Sequence, residues 1–267
     1  MTVQEATPVA PVVEFVDVSK SFGGNVVLEG VTLAVQPGFT GLIGPNGAGK
    51  TTCLNVVSGY LQPDAGDVRV GGRSVLGIAP SRVARRGVSR TFQTPRLIPN
   101  LSAVENVMVG GTRHYRYGHL AELFGLPMAR RNERTQRDRA YELLADLGLG
   151  AMPDGAAGGF PIGSQKIIEV ARALLNDPTL LLLDEPAAGL GAEDVDKLVT
   201  GLNSWMRHRP GAAVMIIEHD LELITRLCPA VAVLHFGRII QSGAPKDVLR
   251  DPVVVEAYLG ADVAAGD

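Results

Sequence analysis

The sequence predicts an α/β fold in which a mostly parallel core sheet carries an antiparallel β edge and an inserted α-helical lobe. Residues 180–183 and 212–217 are apolar at almost every position, a pattern typical of strands buried on both faces of a parallel sheet. A third apolar strand, residues 39–43, leads through a glycine-rich segment into a helical run at residues 51–57. Such strand–loop–helix units build folds with parallel sheets.

Shorter strands, separated by turn residues, predict the antiparallel edge. Glu29-Gly30 divides two of them, and Gly71-Gly72 marks a short hairpin. A further strand ends at Gln93. These predicted strands are residues 12–18, 26–28, 31–35, 67–70 and 88–93.

The middle third of the chain is helical by pattern and rich in arginine. Residues 132–147 are an example, since Tyr141, Leu143, Leu144 and Leu147 form an apolar stripe. Residues 155–159 indicate a loose linker. The remaining predicted elements are helices at 163–175 and 195–207, a hairpin at 231–240 and one or two short helices in 245–260.

We therefore expect a single domain over residues 1–267. Its core would comprise residues 12–93 and 165–245, with a helical lobe at about 94–164 and a C-terminal tail at 246–267. Residues 1–11 are small and polar, with two prolines, and are expected to be a frayed tail.

The glycine-rich segment after the first apolar strand fits G-x-x-x-x-G-K-S/T, the phosphate-binding loop. Its backbone N–H groups would point at phosphate, together with the N-terminus of the following helix. Lys50 would add a cation for the β- and γ-phosphates, and the Thr51 hydroxyl would ligate Mg²⁺. The bland alternative is a glycine-rich turn with a chance lysine. The nine residues are Gly44, Pro45, Asn46, Gly47, Ala48, Gly49, Lys50, Thr51 and Thr52.

Polar residues follow the other two apolar strands where each strand ends. Asp184 and Glu185 follow one strand and His219 follows the other. Parallel sheets bind ligands at the carboxyl ends of their strands, so phosphate donors, two acids and an imidazole would share one site. Asp184 is placed to hold Mg²⁺, and Glu185 to orient or deprotonate an attacking water. Alone, an acid after a strand is often a helix cap, and a lone histidine is usually structural.

Composition argues against a nucleic-acid-binding protein, a disulfide-rich secreted protein and a membrane-spanning protein. The formal net charge of −3 gives no overall basic field for nucleic acid. Cys53 and Cys228 lie far apart in apolar segments, so no disulfide framework is expected. No apolar run approaches the roughly 20 residues that span a bilayer, and the start of the chain predicts no signal peptide. We expect a protein of the cytosol, or one peripheral on the cytoplasmic face of the membrane.

The order of these motifs resembles the ATP-binding-cassette (ABC) ATPases over nearly the whole chain. The resemblance implies ATP as substrate with Mg²⁺. Gln93, at the end of a strand, would touch Mg²⁺ and couple to a membrane partner, and His219 would hold the γ-phosphate. Phe22 lies before the Gly23-Gly24 turn, where it could stack on adenine or cap the small core. The resemblance favours stacking.

The variant resembles the ATPases of importers of branched-chain amino acids and related amides. Lipopolysaccharide-export ATPases share several of its features, so import and export both stay open. The arginine-rich helical insert also fits the importer type. The motifs are Arg90-Thr91-Phe92-Gln93, Leu101-Ser102-Ala103-Val104-Glu105-Asn106-Val107, Asp184-Glu185-Pro186-Ala187-Ala188-Gly189-Leu190, Ile217-Glu218-His219-Asp220 and Glu256-Ala257-Tyr258-Leu259-Gly260.

The chain departs from the family at the Leu-Ser-Gly-Gly-Gln signature. Residues 160–164 read Phe-Pro-Ile-Gly-Ser, so only Gly163 is retained, and Gly191 stands where Asp or Asn is usual. In the family this stretch completes the ATP site of a partner subunit. Pro161 lacks both the hydroxyl and the N–H, although Ser164 could substitute in part. The expected working form is a heterodimer with a second ATPase on integral membrane permease subunits, served indirectly by a substrate-binding protein. The alternative is that the degenerate signature is tolerated.

Two rival functions remain. One is a non-transport ABC ATPase acting on ribosomes or DNA, but such proteins usually carry two cassettes or long insertions. The other is a regulatory subunit that binds ATP without cleaving it. Glu185 argues against the second rival, because a silent site could dispense with that carboxylate.

Overall fold

The computed structural model describes residues 10–111, 127–151 and 154–264, with side chains omitted at 127–130 and 259–264. The predicted frayed tail lies mostly outside these residues. The strands are β1 Val13–Phe22, β2 Asn25–Val35, β3 Gly38–Ile43, β4 Ala65–Val70, β5 Arg73–Ser74, β6 Val88–Arg90, β7 Leu180–Asp184, β8 Ala213–Ile217, β9 Ala230–His235 and β10 Arg238–Gly243. The helices are α1 Lys50–Val57, α2 Pro80–Arg85, α3 Ala103–Val109, α4 Pro127–Asp146, α5 Ile162–Leu175, α6 Ala192–Arg207, α7 Leu221–Leu227, α8 Pro245–Val248 and α9 Pro252–Ala264.

The strands form two sheets. The larger sheet has the order β10-β9-β3-β8-β7-β6, and every neighbouring pair is parallel except β10 with β9. The smaller sheet, in the order β2-β1-β4-β5, is antiparallel. The predicted fold class is confirmed, and β3, β8 and β7 lie side by side so that their carboxyl ends meet at one edge.

The central strands β3, β8 and β7 of the larger sheet are buried on both faces, which explains the unbroken apolar runs. In β7, Leu181 and Leu183 belong to a hydrophobic cluster with the helices α3–α6. Leu180 and Leu182 point the other way, into a cluster with α1 and the smaller sheet. One hydrophobic cluster therefore lies on each face of the larger sheet. Packing on both faces fixes the edge at which β3, β8 and β7 end.

Three local predictions were wrong. The two strands proposed around Glu29-Gly30 are one strand, because Gly30 adopts a φ of 62° within an irregular stretch of pairing with β1. Strand β6 ends at Arg90 rather than Gln93, since the N–H groups of Phe92 and Arg96 donate to the side chain of Glu169 instead.

The third wrong prediction is the loose linker at 155–159. A 3₁₀ turn, Ala157–Gly159, lies within it. The Ala157 N–H donates to Leu101 O at 2.8 Å, and the Gly155 carbonyl accepts from Ala103 N–H at 3.0 Å. The backbone of this segment is thus tied to the start of α3. The division into a core and a helical lobe stays a prediction, and α5 packs against α3 and α4 as well as β6 and β7.

Both cysteines are buried free thiols, as the sequence predicted. Burial raises the pKa of Cys53 to about 12 and that of Cys228 to about 12, so both stay protonated near neutral pH. Within the described ranges, no helix combines the length and apolarity required to cross a bilayer.

Candidate functional site

The phosphate loop lies between β3 and α1 and packs closely on the backbones of two other strands. Gly44 has a φ of 145°, and a Cβ there would lie 2.0 Å from the Leu234 carbonyl oxygen. Gly49 has a φ of 106°, and its Cβ would lie 2.7 Å from the Val27 carbonyl oxygen. Only glycine allows both the backbone angles and the close approach.

Lys50 opens helix α1 and is only 6 % exposed. Its Nζ donates to the carbonyl oxygens of Gly44 at 2.7 Å and Pro45 at 2.9 Å. Burial lowers the pKa of Lys50, although the charges of Glu185 and Asp184 oppose this. The ammonium group therefore lies across the loop, within a site that also holds negative charge.

Asp184 is the last residue of β7 and is 3 % exposed. Arg90 donates to its Oδ2 at 3.3 Å. Burial raises the pKa of Asp184 and the charge of Arg90 opposes that rise. Glu185 follows with a φ of 51°, a left-handed conformation that costs a non-glycine residue about 1–2 kcal/mol. Glu185 therefore leaves the strand direction and its side chain turns toward the phosphate loop.

The Glu185 carboxylate contacts two other predicted site residues. Gln93 Nε2 donates to Oε2 at 3.1 Å, and His219 Nε2 lies 3.2 Å from Oε1. These residues come from the segments after β6, β7 and β8. The three side chains therefore meet beyond the ends of their strands, as their sequence positions predicted, while their catalytic roles stay predictions.

The phosphate loop and this group of side chains face a common cavity of about 310 Å³. Its lining contains most of the predicted nucleotide-binding residues. The residues that line the cavity are Val27, Asn46, Gly47, Ala48, Gly49, Lys50, Thr51, Thr52, Gln93, Glu185, Ile217 and His219.

Phe22 is not among the residues that line the cavity. It ends β1 at the turn into β2 and is 49 % exposed. Lys20 Nζ lies 5.5 Å from its ring centroid. The ring is open to solvent on the described surface, and its adenine-stacking role stays a prediction.

Arg90 is a further residue of the site, which the sequence indicated only as part of the Arg90-Thr91-Phe92-Gln93 motif. The side chain is 6 % exposed and also donates to Asn55 Oδ1 at 2.7 Å and Ser58 Oγ at 3.1 Å. Arg90 thus links Asp184 to the last turn of α1. A charged residue in an otherwise buried short strand was the available signal.

Glu218 was also missed as a site residue. It is 5 % exposed, and its carboxylate accepts N–H groups of Ala187 at 2.8 Å and of His219 at 3.2 Å. Burial raises the pKa of Glu218, opposed by these N–H groups and by the charge of Lys166. Glu218 therefore links the turn after β7 to the turn after β8. An acid directly after an apolar strand, the signal that identified Asp184, applies to it as well.

The degenerate signature lies at the start of α5. Pro161 is the N-cap and makes no side-chain capping bond, and Ile162 is 52 % exposed. A Cβ on Gly163 would lie 2.9 Å from the Gly189 carbonyl oxygen. The one retained signature glycine is therefore required by packing within the chain. Gly191 is the N-cap of α6, again with no side-chain hydrogen bond.

A second cavity of about 290 Å³ lies between the helical layer and β6. Two exposed apolar side chains border it, Tyr60 at 57 % and Val109 at 45 %. Arg90 and Phe92 also line it, so this groove begins next to the segment that carries Gln93.

Comparison with known families gives two matches. Residues 28–188 match the family described as "ABC transporter". Residues 238–264 match the family described as "Branched-chain amino acid ATP-binding cassette transporter".

Similar curated proteins include the high-affinity branched-chain amino acid transport ATP-binding protein BraF of Pseudomonas aeruginosa. It is 37 % identical over 251 residues, which is 94 % of this chain and 98 % of BraF. The corresponding protein LivG of Escherichia coli is 33 % identical over 240 residues, 90 % of this chain and 94 % of LivG.

Similar solved structures include a nucleotide-free ATP-binding cassette from an ABC transporter, with a TM-score of 0.79 and 30 % identity over 93 % of this chain and 98 % of that one. The ADP conformation of MJ1267, an ATP-binding cassette of an ABC transporter, has a TM-score of 0.78 and 30 % identity. It covers 94 % of this chain and 99 % of that one.

Proposed function

The chain belongs to the family of ABC transporter ATPases, and from that premise we propose that it binds and cleaves ATP to drive import of branched-chain amino acids or related small amides. The observation that carries the proposal is the cavity in which the phosphate loop faces Glu185, Gln93 and His219. The C-terminal match and the similarity to BraF and LivG support the substrate class.

In the proposed mechanism, the backbone of the phosphate loop and Lys50 bind the phosphates of ATP. Glu185 orients the attacking water and accepts its proton. His219, at 3.2 Å from that carboxylate, donates a hydrogen bond to the γ-phosphate. Gln93 donates a hydrogen bond to the other carboxylate oxygen, so the position of the Gln93 loop affects the orientation of Glu185.

The residues also fit Mg²⁺, which prefers hard oxygen ligands and takes few of them from protein when phosphates are present. The Thr51 hydroxyl, the Gln93 amide oxygen and the Asp184 carboxylate are such ligands. In the described residues no three His, Cys, Asp or Glu side chains form a metal cluster by themselves. Bound there, the ion would neutralise charge on the β- and γ-phosphates.

The groove beside β6 is the proposed docking place for a permease subunit. Tyr60 and Val109 offer apolar contacts, and Phe92 connects the groove to Gln93. Movement of the permease would therefore reach the Gln93–Glu185 hydrogen bond. We also propose that the chain is a peripheral subunit on the cytoplasmic face of the membrane.

The substrate class is tested by uptake. Deleting the gene that encodes this chain is expected to remove most uptake of radiolabelled leucine or a small amide, because ATP cleavage would drive it, and the wild-type chain should restore it. Glucose uptake provides the control. If amino-acid and amide uptake were unchanged while lipid export failed, the exporter alternative would replace the importer proposal.

We further propose that the working dimer contains a different ATPase. Pro161 and the exposed side chain of Ile162 stand where the family presents a serine and a glycine to the partner's nucleotide. A homodimer would pair each intact phosphate loop with this poor signature. A heterodimer would contain one complete site, made of this chain's loop and the partner's signature.

Turnover of the chain alone and with its partner ATPase tests this arrangement. We expect the mixture to turn over ATP at least about 10-fold faster per intact site. Restoring Pro161→Ser and Ile162→Gly together should raise the rate of the chain alone. Equally fast turnover by the wild-type chain alone would show that the signature is tolerated.

A further inference from the structure

Helix α5 is hydrogen-bonded to the two loops that carry Gln93 and Glu185. Lys166 and Glu169, about one turn apart on its buried face, are 7 % and 1 % exposed. Lys166 Nζ donates to the Glu185 carbonyl oxygen at 2.8 Å. Glu169 accepts the Phe92 N–H and the Arg96 N–H, each at 3.3 Å. One helix therefore holds the backbone beside each partner of a hydrogen bond between two loops.

Lys166 and Glu169 restrict the conformation of the loop backbone to which they are hydrogen-bonded. Glu185 has a left-handed φ of 51°, and its carbonyl oxygen also accepts the Ala188 N–H in a turn, at 3.3 Å. Phe92 leaves the sheet because its N–H donates to Glu169 rather than to β7. Hydrogen bonds that involve a charged group are stronger than neutral ones, so α5 fixes the separation of the two loops.

The same helix packs directly on the turn after β7. Gly163, in its first turn, lies so close to Gly189 that a Cβ would stand 2.9 Å from that carbonyl oxygen. Arg172, farther along, donates to Glu169 at 2.9 Å and to the Arg96 carbonyl at 2.6 Å. A shift of α5 would therefore move both loops together.

We propose that Lys166 and Glu169 are positioning residues that set the contact between Gln93 and the Glu185 carboxylate, and so make the rate of ATP cleavage depend on the position of α5. The inference rests on the proposed function. It adds a connection within one chain, from the helix that begins at the signature segment to the residue that activates water.

The test uses Lys166→Met and Glu169→Gln in the full chain, assayed in the assembly in which the wild type turns over. We expect kcat to fall about 10- to 100-fold, as for loss of a charged hydrogen bond. The Kd for a fluorescent ATP analogue, measured on the chain itself, should change less than about 2-fold, because neither residue lines the nucleotide cavity. Lys166→Arg keeps a donor for the Glu185 carbonyl and should recover most of the rate.

A double-mutant cycle separates positioning from general stability. Because Lys166 would act through the Gln93–Glu185 contact, adding Lys166→Met to Gln93→Ala should lower kcat less than about 3-fold further. Lys197→Met, at a lysine paired with Glu193 on the surface of α6, is the control with unchanged turnover. Thermal unfolding of each variant identifies any that does not fold, and Glu169→Gln then carries the test.

Unchanged kcat in folded Lys166→Met and Glu169→Gln would overturn the inference. A second result would also overturn it: Lys166→Met and Lys166→Arg lower kcat equally, and Lys166→Met lowers kcat by the same factor with and without Gln93→Ala. That result would indicate a purely structural role for Lys166. Failure of the wild-type chain to bind the ATP analogue would instead overturn the proposed function.

Discussion

Glu185→Gln is expected to stop ATP turnover while leaving ATP binding intact. The substitution keeps the size of the side chain and the left-handed backbone of residue 185, but an amide cannot accept the proton of an attacking water. Loss of a general base costs typically about 10²- to 10⁴-fold in kcat. The phosphate loop and Lys50, which would bind the nucleotide, are untouched.

ATPase rate and equilibrium binding, measured on the same preparation, check this expectation. The matched control is Glu193→Gln, since Glu193 is an exposed residue of α6 paired only with Lys197 in the described structure. Its turnover should equal that of the wild type. An unchanged rate in Glu185→Gln would mean that another group activates the water.

The site could be predicted because its residues sit at positions that local sequence marks. A strand with no alternation is buried on both faces, so the next polar residue lies at the edge of the sheet. Asp184, Glu185 and His219 lie within two residues of the ends of two such strands, so their place at this edge could be expected without knowledge of the strand order. The phosphate loop is likewise a contiguous segment, and its glycines are explained by contacts to Leu234 and Val27.

The residues that support the site could not be found in this way. Glu169 bonds to a loop more than seventy residues earlier in the chain, and the contact depends on how α5 packs against β6. The same contact ends β6 at Arg90, whereas the sequence pattern predicted a strand as far as Gln93. Lys166 shares the apolar face of α5 with Ile167 and Val170, and a lysine on such a face was the one local sign of a buried role.

The second large effect is expected from Lys50→Ala. Lys50 Nζ lies across the loop, bonded to the carbonyl oxygens of Gly44 and Pro45, and would exchange these contacts for phosphate oxygens when ATP binds. Charged hydrogen bonds contribute about 1.5–3 kcal/mol each, so the Kd for ATP should rise by at least about 10- to 100-fold. Turnover should fall further, because charge on the γ-phosphate grows during cleavage.

Nucleotide binding by calorimetry and steady-state ATPase rates measure the two effects separately. Lys50→Arg distinguishes charge from shape: the larger guanidinium keeps the charge but does not fit a side chain that is 6 % exposed against the loop, so binding should stay weak. Lys197→Ala, on the surface of α6, should match the wild type. If Lys50→Ala bound and cleaved ATP normally, the phosphate loop would not be the place where this chain holds its nucleotide. The roles assigned to Glu185, Gln93 and His219 would then lose their substrate, because all three face the cavity that Lys50 lines.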